Sequence, residues 1–413
     1  MSFGMSLANA TMFTTYAVYQ VISLGLTPLQ LLLIGAVLEG TVLLFEGITG
    51  IIADVYSRRL SVIIGVFVLG FGFVLEGSAI WLGESIPLLS AFVWLLLSQV
   101  FFGIGHTFVS GADTAWIVDE VGEERIGPVF MKAKRYGLIG TLIGIVLSVG
   151  LSMLITNLPY LIGGLMYVVL GVLLVFGMKE TAFVRPEAAS KKTHWRHMRQ
   201  TWLSGAGVIR RQPVLLLILL ATLFGGAAAE GYDRLWQAHL IQGIGFPEHI
   251  PLTAAGWLGL FALASTLIGL VIMWITEQKL DIDNKRTAMF GLILLLLLRI
   301  GAIVLLVAAP DFAWAVTAVL LLDLVMILNE PIYNTWLNYN IQGRTRATVL
   351  SMLSQSDALG QTAGGAAIGW IGSRFSLRAS LVAAAMLLTP VLAVYSRIWT
   401  RDRQPPSSRS ADM

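Results

Sequence analysis

The chain has 413 residues, of which 56% are hydrophobic and 12% charged, with a formal net charge of +3 and a mean hydropathy of +0.80. A soluble domain carries about 25% charged residues, so this composition excludes a soluble globular protein and predicts an integral membrane protein. The sequence contains no cysteine, which excludes disulfides, thiolate metal sites and cysteine catalysis.

Apolar runs separated by short polar breaks recur along the whole chain. Runs of about 18 or more apolar residues predict transmembrane helices, because strands of a membrane barrel would alternate polar with apolar residues. The first run has no basic segment before it and no cleavage site, so we interpret it as a retained span rather than a signal peptide. The predicted spans are 7–25, 29–51, 60–82, 89–118, 133–156, 160–178, 213–241, 251–275, 287–308, 312–337, 347–371 and 377–397.

The loops between these spans indicate both domain organisation and orientation. One long polar interval, 179–212, separates an N-terminal six-helix half (1–178) from a C-terminal six-helix half (213–397), and 398–413 forms a tail. With both termini placed in the cytoplasm, all but four of the 27 Lys and Arg residues lie in or beside cytoplasmic segments. Because such residues collect on the cytoplasmic side, we predict that the central loop and both termini are cytoplasmic.

Two sequence features occur in both halves. Asp54-x-x-Ser57-Arg58-Arg59 follows span two, and Asp281-x-x-Asn284-Lys285-Arg286 follows span eight, the second span of the second half. Spans five and eleven both carry glycine stripes, at Gly137, Gly140 and Gly144 and at Gly360, Gly364, Gly365 and Gly369. Together with the central loop, these matches favour two parallel six-helix repeats.

The segment from Gly50 to Arg59 resembles the signature of the major facilitator superfamily, G-x-x-x-D-x-x-G-R-R/K, which lies between helices two and three. Ser57 stands where the signature has glycine, Gln99 stands where many antiporters of that family have arginine, and span five lacks the proline of their glycine motif. The sequences at 45–46, 110–116 and 346–351 resemble bacterial members described as drug or macrolide efflux permeases.

This resemblance implies an all-α integral membrane fold of twelve transmembrane helices in two pseudo-symmetric six-helix halves. In that fold helices one, four, seven and ten line the cavity, with two, five, eight and eleven beside them, while three, six, nine and twelve are outer supports. The resemblance also implies that Asp54 lies near the start of span eleven and that Arg58 or Arg59 meets acids closing span four. The implied gating residues are Gly50, Asp54, Arg58, Arg59, Asp119 and Glu120.

Ionisable side chains within spans are the best functional candidates, because each needs a partner, water or protonation to offset its burial. Glu230, Asp233 and Arg234 are spaced to share one helix face, although Glu230 and Arg234 could form only an intrahelical pair. Arg299, on an outer helix, is predicted to close an internal pair with Asp323. The candidates for proton coupling or substrate binding are Glu39, Asp113, Glu230, Asp233, Arg234, Asp323, Glu330 and Asp357.

Aromatic, amide and imidazole groups supply the rest of a possible substrate surface, since they can stack on or hydrogen-bond an amphipathic ligand. Ordinary packing or anchoring at the membrane interface is the alternative for each of them. The candidates are Tyr16, Gln20, His106, Tyr232, Trp236, Asn329, Tyr333 and Gln355.

These patterns predict a secondary active transporter that works by alternating access, through proton-coupled efflux of a small amphipathic molecule. The sequence has no phosphate-binding loop, H-E-x-x-H motif or G-x-S-x-G elbow, so we expect no enzyme, cofactor or metal. The expected partners are the lipid bilayer, the substrate and protons but no nucleic acid, and we expect a monomer in the plasma (inner) membrane. Two alternatives stay open: an uptake symporter or uniporter for a metabolite, and a non-transporting membrane receptor or assembly factor.

Overall fold

The computed structural model describes residues 1–86, 89–122, 126–183, 213–279, 285–341 and 346–401, and no strand occurs among them. Most of the central loop, residues 281–284 of the Asp281 repeat and most of the tail lie outside the described residues. The described part of the chain contains two π-helical segments, Val18–Ser23 and Leu240–Ile244. The α-helices are α1 Ser2–Phe13, α2 Pro28–Val55, α3 Arg58–Ser85, α4 Ala91–Val109, α5 Ala112–Val121, α6 Ile126–Leu154, α7 Leu158–Gly177, α8 Pro213–His239, α9 Ala254–Lys279, α10 Lys285–Ala308, α11 Phe312–Asn340, α12 Arg346–Arg374 and α13 Leu377–Arg401.

Ten helical segments in the described part of the chain are long and apolar enough to cross a membrane, counting α4 with α5 and α8 with the π-helical segment after it. They correspond to ten of the twelve predicted spans. The other two are helical as well: predicted span one is α1 followed by the π-helical segment Val18–Ser23, and predicted span eleven is α12, which carries polar residues such as Gln355 and Asp357. The predicted all-α membrane architecture is thus confirmed.

Polar side chains fix where several helices begin. Thr27 caps α2 through a reciprocal pair of hydrogen bonds with Gln30, and Pro28 occupies the first turn, where its missing N–H is not needed. The Asp311 carboxylate accepts hydrogen bonds from the backbone N–H groups of Ala313 and Trp314 and so caps α11. These caps satisfy backbone donors that would otherwise be unpaired at a membrane surface.

Predicted span four is divided in the structure. α4 ends at Val109, and Gly111 has a φ of +74°, a left-handed conformation that glycine adopts without steric cost. A second helix, α5, starts at Ala112, which places Asp113 in its first turn. The Asp113 carboxylate accepts a hydrogen bond of 2.6 Å from the backbone N–H of Thr114, so Asp113 stands at a helix start and not within a continuous span.

The chain forms two compact units, Met1–His194 with Phe246–Leu263 and Trp195–Gly245 with Ala264–Met413. The glycine stripes have the same role in both. In the first unit, a Cβ added at Gly144 of α6 would lie 2.5 Å from the carbonyl oxygen of Leu7 in α1. In the second unit, a Cβ at Gly360 of α12 would lie 2.0 Å from the carbonyl oxygen of Leu223 in α8. In each unit the stripe thus allows close backbone contact with the first helix of that half.

Candidate functional site

The loop between α2 and α3 holds Arg58 in a network within the first unit. Its Nη1 donates to the carbonyl oxygen of Ala115 at 3.1 Å and to the Asp119 carboxylate, both on α5. Asp54 is 3.7 Å from Arg58 Nη2, but its side chain is 70% exposed. The structure therefore brings Arg58 and Asp119 together, while Asp54 keeps most of its carboxylate accessible.

The remaining polar groups of this loop bind the segment that follows α7. Ser57 caps α3 by accepting from the Leu60 N–H at 2.9 Å, and its hydroxyl donates to Glu180 at 2.6 Å. Glu180 also accepts from the backbone N–H of Arg59 at 3.0 Å. Ser57 has a φ of −178°, which any residue adopts, so this position does not require the glycine of the signature.

Glu120 makes a different contact from the one implied by the resemblance. Its carboxylate accepts hydrogen bonds from the backbone and hydroxyl of Thr181 at 2.6 Å and from the N–H of Ala182 at 2.9 Å. Arg59 donates to the carbonyl oxygen of Val175 at 2.6 Å. We call Ser57, Arg58, Arg59, Asp119, Glu120 and Glu180 the motif cluster. Gly50 lies one turn before the end of α2, with nothing within 4 Å of an added Cβ.

A cavity of about 470 Å³ opens among five helices of the second unit, α8, α10, α11, α12 and α13. This volume lies within the usual range for small-molecule sites, about 300–1,000 Å³. The lining includes three residues that the sequence singles out for substrate binding or proton coupling: Asn329, Tyr333 and Asp357. Tyr333 and Tyr395 form an aromatic wall, since both rings pack against the buried Trp336 at centroid distances of 6.2 and 6.0 Å.

Arg299 also lines this cavity, although it lies on a helix that the resemblance places among the outer supports. Its Nε and Nη2 atoms are buried and have no hydrogen-bond partner. The predicted pair with Asp323 is absent from the described structure: the Asp323 carboxylate instead accepts a hydrogen bond from the Ser265 hydroxyl of α9. The carboxylates of Asp233 and Asp357 are both near enough to act on the Arg299 charge.

The other candidates of the second unit lie outside the cavity lining. Glu230 is buried and accepts from Arg234 Nε at 3.0 Å, the intrahelical arrangement that the spacing allows. Tyr232 stacks on Trp236 with a centroid distance of 6.4 Å. Glu330 is exposed, and Gln355 is partly buried, with an Oε1 atom that has no hydrogen-bond partner.

In the first unit, Gln20 is 2% exposed and packs inside the helices rather than on an open surface. Its Nε2 donates to Glu76 Oε1 at 3.1 Å, and Gln99 Nε2 donates to Glu76 Oε2 at 3.0 Å. Tyr16 and Glu39 are half-buried, whereas His106 is exposed. Glu76 is not among the candidates from the sequence, although an ionisable residue within a span is by itself a signal of function.

Comparison with known proteins identifies a family whose members resemble this chain in sequence. A family model described as Major Facilitator Superfamily matches residues 1–356. The uncharacterised MFS-type transporter YxaM of Bacillus subtilis (strain 168) is 24% identical over 382 residues, which cover 89% of this chain and 87% of that protein.

Solved structures show the same fold at low sequence identity. A mutant of the nucleoside transporter NupG has a TM-score of 0.75 at 12% identity, covering 96% of this chain and 97% of that one. A bacterial homologue of the human lysosomal transporter Spinster, inward-facing and unoccupied, has a TM-score of 0.71 at 15% identity, covering 98% and 97%.

Proposed function

The chain belongs to the Major Facilitator Superfamily, and from this membership we propose that it is a proton-coupled secondary transporter that exports a small amphipathic molecule by alternating access. Membership makes it a multi-pass membrane transporter with a small-molecule substrate. Proton coupling, outward direction, a monomeric state and a plasma-membrane location with cytoplasmic termini belong to the proposal.

The observation that carries the proposal is the 470 Å³ cavity of the second unit. It combines the aromatic rings of Tyr333 and Tyr395 with polar groups from Asn329 and Asp357. Rings beside a few hydrogen-bonding groups suit a ligand with both apolar and polar parts. The outward direction is supported only by the resemblance to efflux permeases at 45–46, 110–116 and 346–351.

Asp323 is the carboxylate that we propose as the proton carrier. It is partly buried on α11, and its described partner is the neutral hydroxyl of Ser265. A carboxylate held by a hydroxyl can take up a proton without leaving a buried cation unpaired, whereas an ion-paired carboxylate cannot. Protonation would also lower the cost of moving this group through an apolar environment.

Transport into proteoliposomes under an imposed pH gradient tests this function. One pH unit is worth about 1.4 kcal/mol per proton, so coupling of one proton to one substrate permits about tenfold accumulation. We expect Asp323→Asn to lose the gradient-driven accumulation while substrate still exchanges across the membrane. The control is Glu84→Gln, an exposed position in the last turn of α3. Equal accumulation by the wild type with the gradient imposed and collapsed would contradict proton coupling.

A further inference from the structure

Two charged side chains of opposite sign lie among the described residues that line the second unit's cavity, Arg299 and Asp357. They form no ion pair with each other among the described contacts. We propose that this cavity binds a small zwitterion, with its acidic group on Arg299 and its ammonium group on Asp357. This inference rests on the proposed transport function and specifies the class of substrate.

Arg299 supplies the positive charge of the site and hydrogen-bond donors that lack acceptors. A guanidinium carries five N–H donors and no acceptor, and donors on Nε and Nη2 have no protein partner. Asp233 offsets part of the charge through space, yet its carboxylate accepts no hydrogen bond from these two atoms. Buried donors without acceptors are energetically unfavourable. A small shift of the Arg299 side chain toward the cavity would let a ligand carboxylate accept hydrogen bonds from these donors, and such charge-assisted bonds are strong.

Asp357 supplies the opposite charge. Its Oδ2 accepts a hydrogen bond of 2.7 Å from Gln361 Nε2, one turn further along α12. Its Oδ1 lies against α8, at a point where a Cβ on Gly226 would approach within 2.6 Å. Glycine at 226 thus makes room for this carboxylate, and the Gln361 amide orients it without neutralising its charge. An ammonium group on a ligand would neutralise the Asp357 charge.

The pair of charges discriminates between ligand classes. A cation would pair with Asp357 but meet Arg299 as a like charge, and an anion would meet Asp357 in the same way. A neutral ligand would exclude water from both groups and leave them only the partial compensation that they receive from each other and from Asp233. A molecule carrying both charges satisfies both groups, and the rings of Tyr333 and Tyr395 provide a surface for its apolar part.

Thermal unfolding of the purified full-length protein with matched ligands tests the inference. The probes are alanine, leucine, phenylalanine and the dipeptides built from them. Each is compared with its methyl ester, a cation, and with its N-acetyl derivative, an anion. Bound ligand raises the unfolding temperature by mass action, so a titration gives relative affinities. We expect at least one parent zwitterion to bind about tenfold more tightly, or better, than both of its blocked forms.

Substitutions assign the two contacts separately. Arg299→Gln should weaken zwitterion binding on the order of 30-fold and remove its advantage over the ester, since both ligands then use only Asp357. Asp357→Asn should remove the advantage over the N-acetyl form. Arg299→Lys keeps the charge and should retain part of the preference. Arg374→Gln, at an exposed position in the last turn of α12, is the control and should behave as the wild type.

Two results would overturn the inference: blocked forms that bind as well as every parent zwitterion, or a preference that survives both Arg299→Gln and Asp357→Asn. The same ligands in proteoliposomes separate this inference from the transport proposal. Zwitterion binding without gradient-driven movement contradicts proton-coupled transport alone. Gradient-driven movement of a singly charged compound with which no zwitterion competes contradicts the zwitterion site and leaves the transport function standing.

Discussion

At the scale of single residues, Glu76 is the clearest case of a polar group that organises apolar helices. It is 2% exposed on α3, and its two carboxylate oxygens accept hydrogen bonds from the amides of Gln20 and Gln99. The hydroxyl of Tyr19 donates to the Glu76 carbonyl oxygen at 3.0 Å. One side chain thus joins predicted span one to α3 and α4 inside the first unit.

We expect Glu76→Leu to lower the free energy of unfolding by about 1–3 kcal/mol, because it removes the acceptor of one N–H group on each of two buried amides. Glu76→Gln should cost less. Its oxygen can accept from one amide, and its NH₂ group can donate to Gln20 Oε1, which has no hydrogen-bond partner at present. Reversible unfolding in mixed detergent micelles measures both changes.

The matched control for Glu76 is Glu84, which is exposed in the last turn of the same helix. Glu84→Leu and Glu84→Gln should both leave the unfolding transition close to that of the wild type. If Glu76→Leu unfolded no more easily than Glu84→Leu, the hydrogen bonds around Glu76 would not contribute to stability.

At the scale of helices, the glycine stripe of α6 sets how closely it packs on α1. A Cβ at Gly144 would lie 2.5 Å from the Leu7 carbonyl oxygen and 2.7 Å from the Ala10 Cβ. Both neighbouring atoms are held in place by the backbone of α1, so an added Cβ would force the two helices apart. We expect Gly144→Ala to destabilise the protein by about 1–3 kcal/mol, the usual cost of overpacking.

Gly150 on the same helix is the control, since an added Cβ there meets nothing within 4 Å. Gly150→Ala should be neutral or stabilising, because alanine is favoured over glycine in a helix by about 1 kcal/mol. Unfolding transitions of both variants in micelles give the comparison. A Gly144→Ala variant as stable as Gly150→Ala would show that the helices can separate without cost.

The positions of the helices along the chain were predictable from the sequence, but the face that each helix turns toward the protein interior was not. Apolar length marks a span, and glycine repeats mark a close contact, so the stripes of α6 and α12 were visible in advance. The face turned inward is harder to predict, because lipid-facing and protein-facing surfaces are both apolar. Gln20 was therefore expected at a cavity surface but is buried against Glu76, and Arg299 was assigned to a support but lines a cavity.

Breaks within spans are also difficult to predict from the sequence. Hydropathy averages over a window, so it does not detect a single left-handed residue such as Gly111, which divides predicted span four. The contact of Arg58 with Asp119 was predictable, because the family resemblance implies that an arginine of this loop meets the acids closing span four. The resemblance implies no contact for Glu180, and only the folded chain brings it to Ser57.

At the scale of the whole molecule, Asp54 matters because it lies beside the motif cluster and keeps its carboxylate exposed. Arg58 is engaged by α5, but the Asp54 side chain is 70% exposed. The family resemblance predicts that this carboxylate meets the start of predicted span eleven in the outward-open state. A carboxylate at a helix N-terminus is stabilised by about 0.3–1 kcal/mol. We propose that this contact holds the cytoplasmic side closed.

On this proposal, Asp54→Asn increases the ratio of inward-open to outward-open protein about two- to fivefold, the Boltzmann equivalent of about 0.3–1 kcal/mol, without changing stability. The chain has no cysteine, so a single Ser354→Cys substitution at the lining of the second unit's cavity provides a specific reporter. In inside-out vesicles, a membrane-impermeant maleimide should label this cysteine two- to fivefold faster in the Asp54→Asn background. Asp54→Glu retains the charge and should restore the slower rate, and Glu84→Gln should have no effect. Equal labelling rates for Asp54→Asn and Glu84→Gln would exclude Asp54 from the closure, since the reporter would then not respond to the charge at this position.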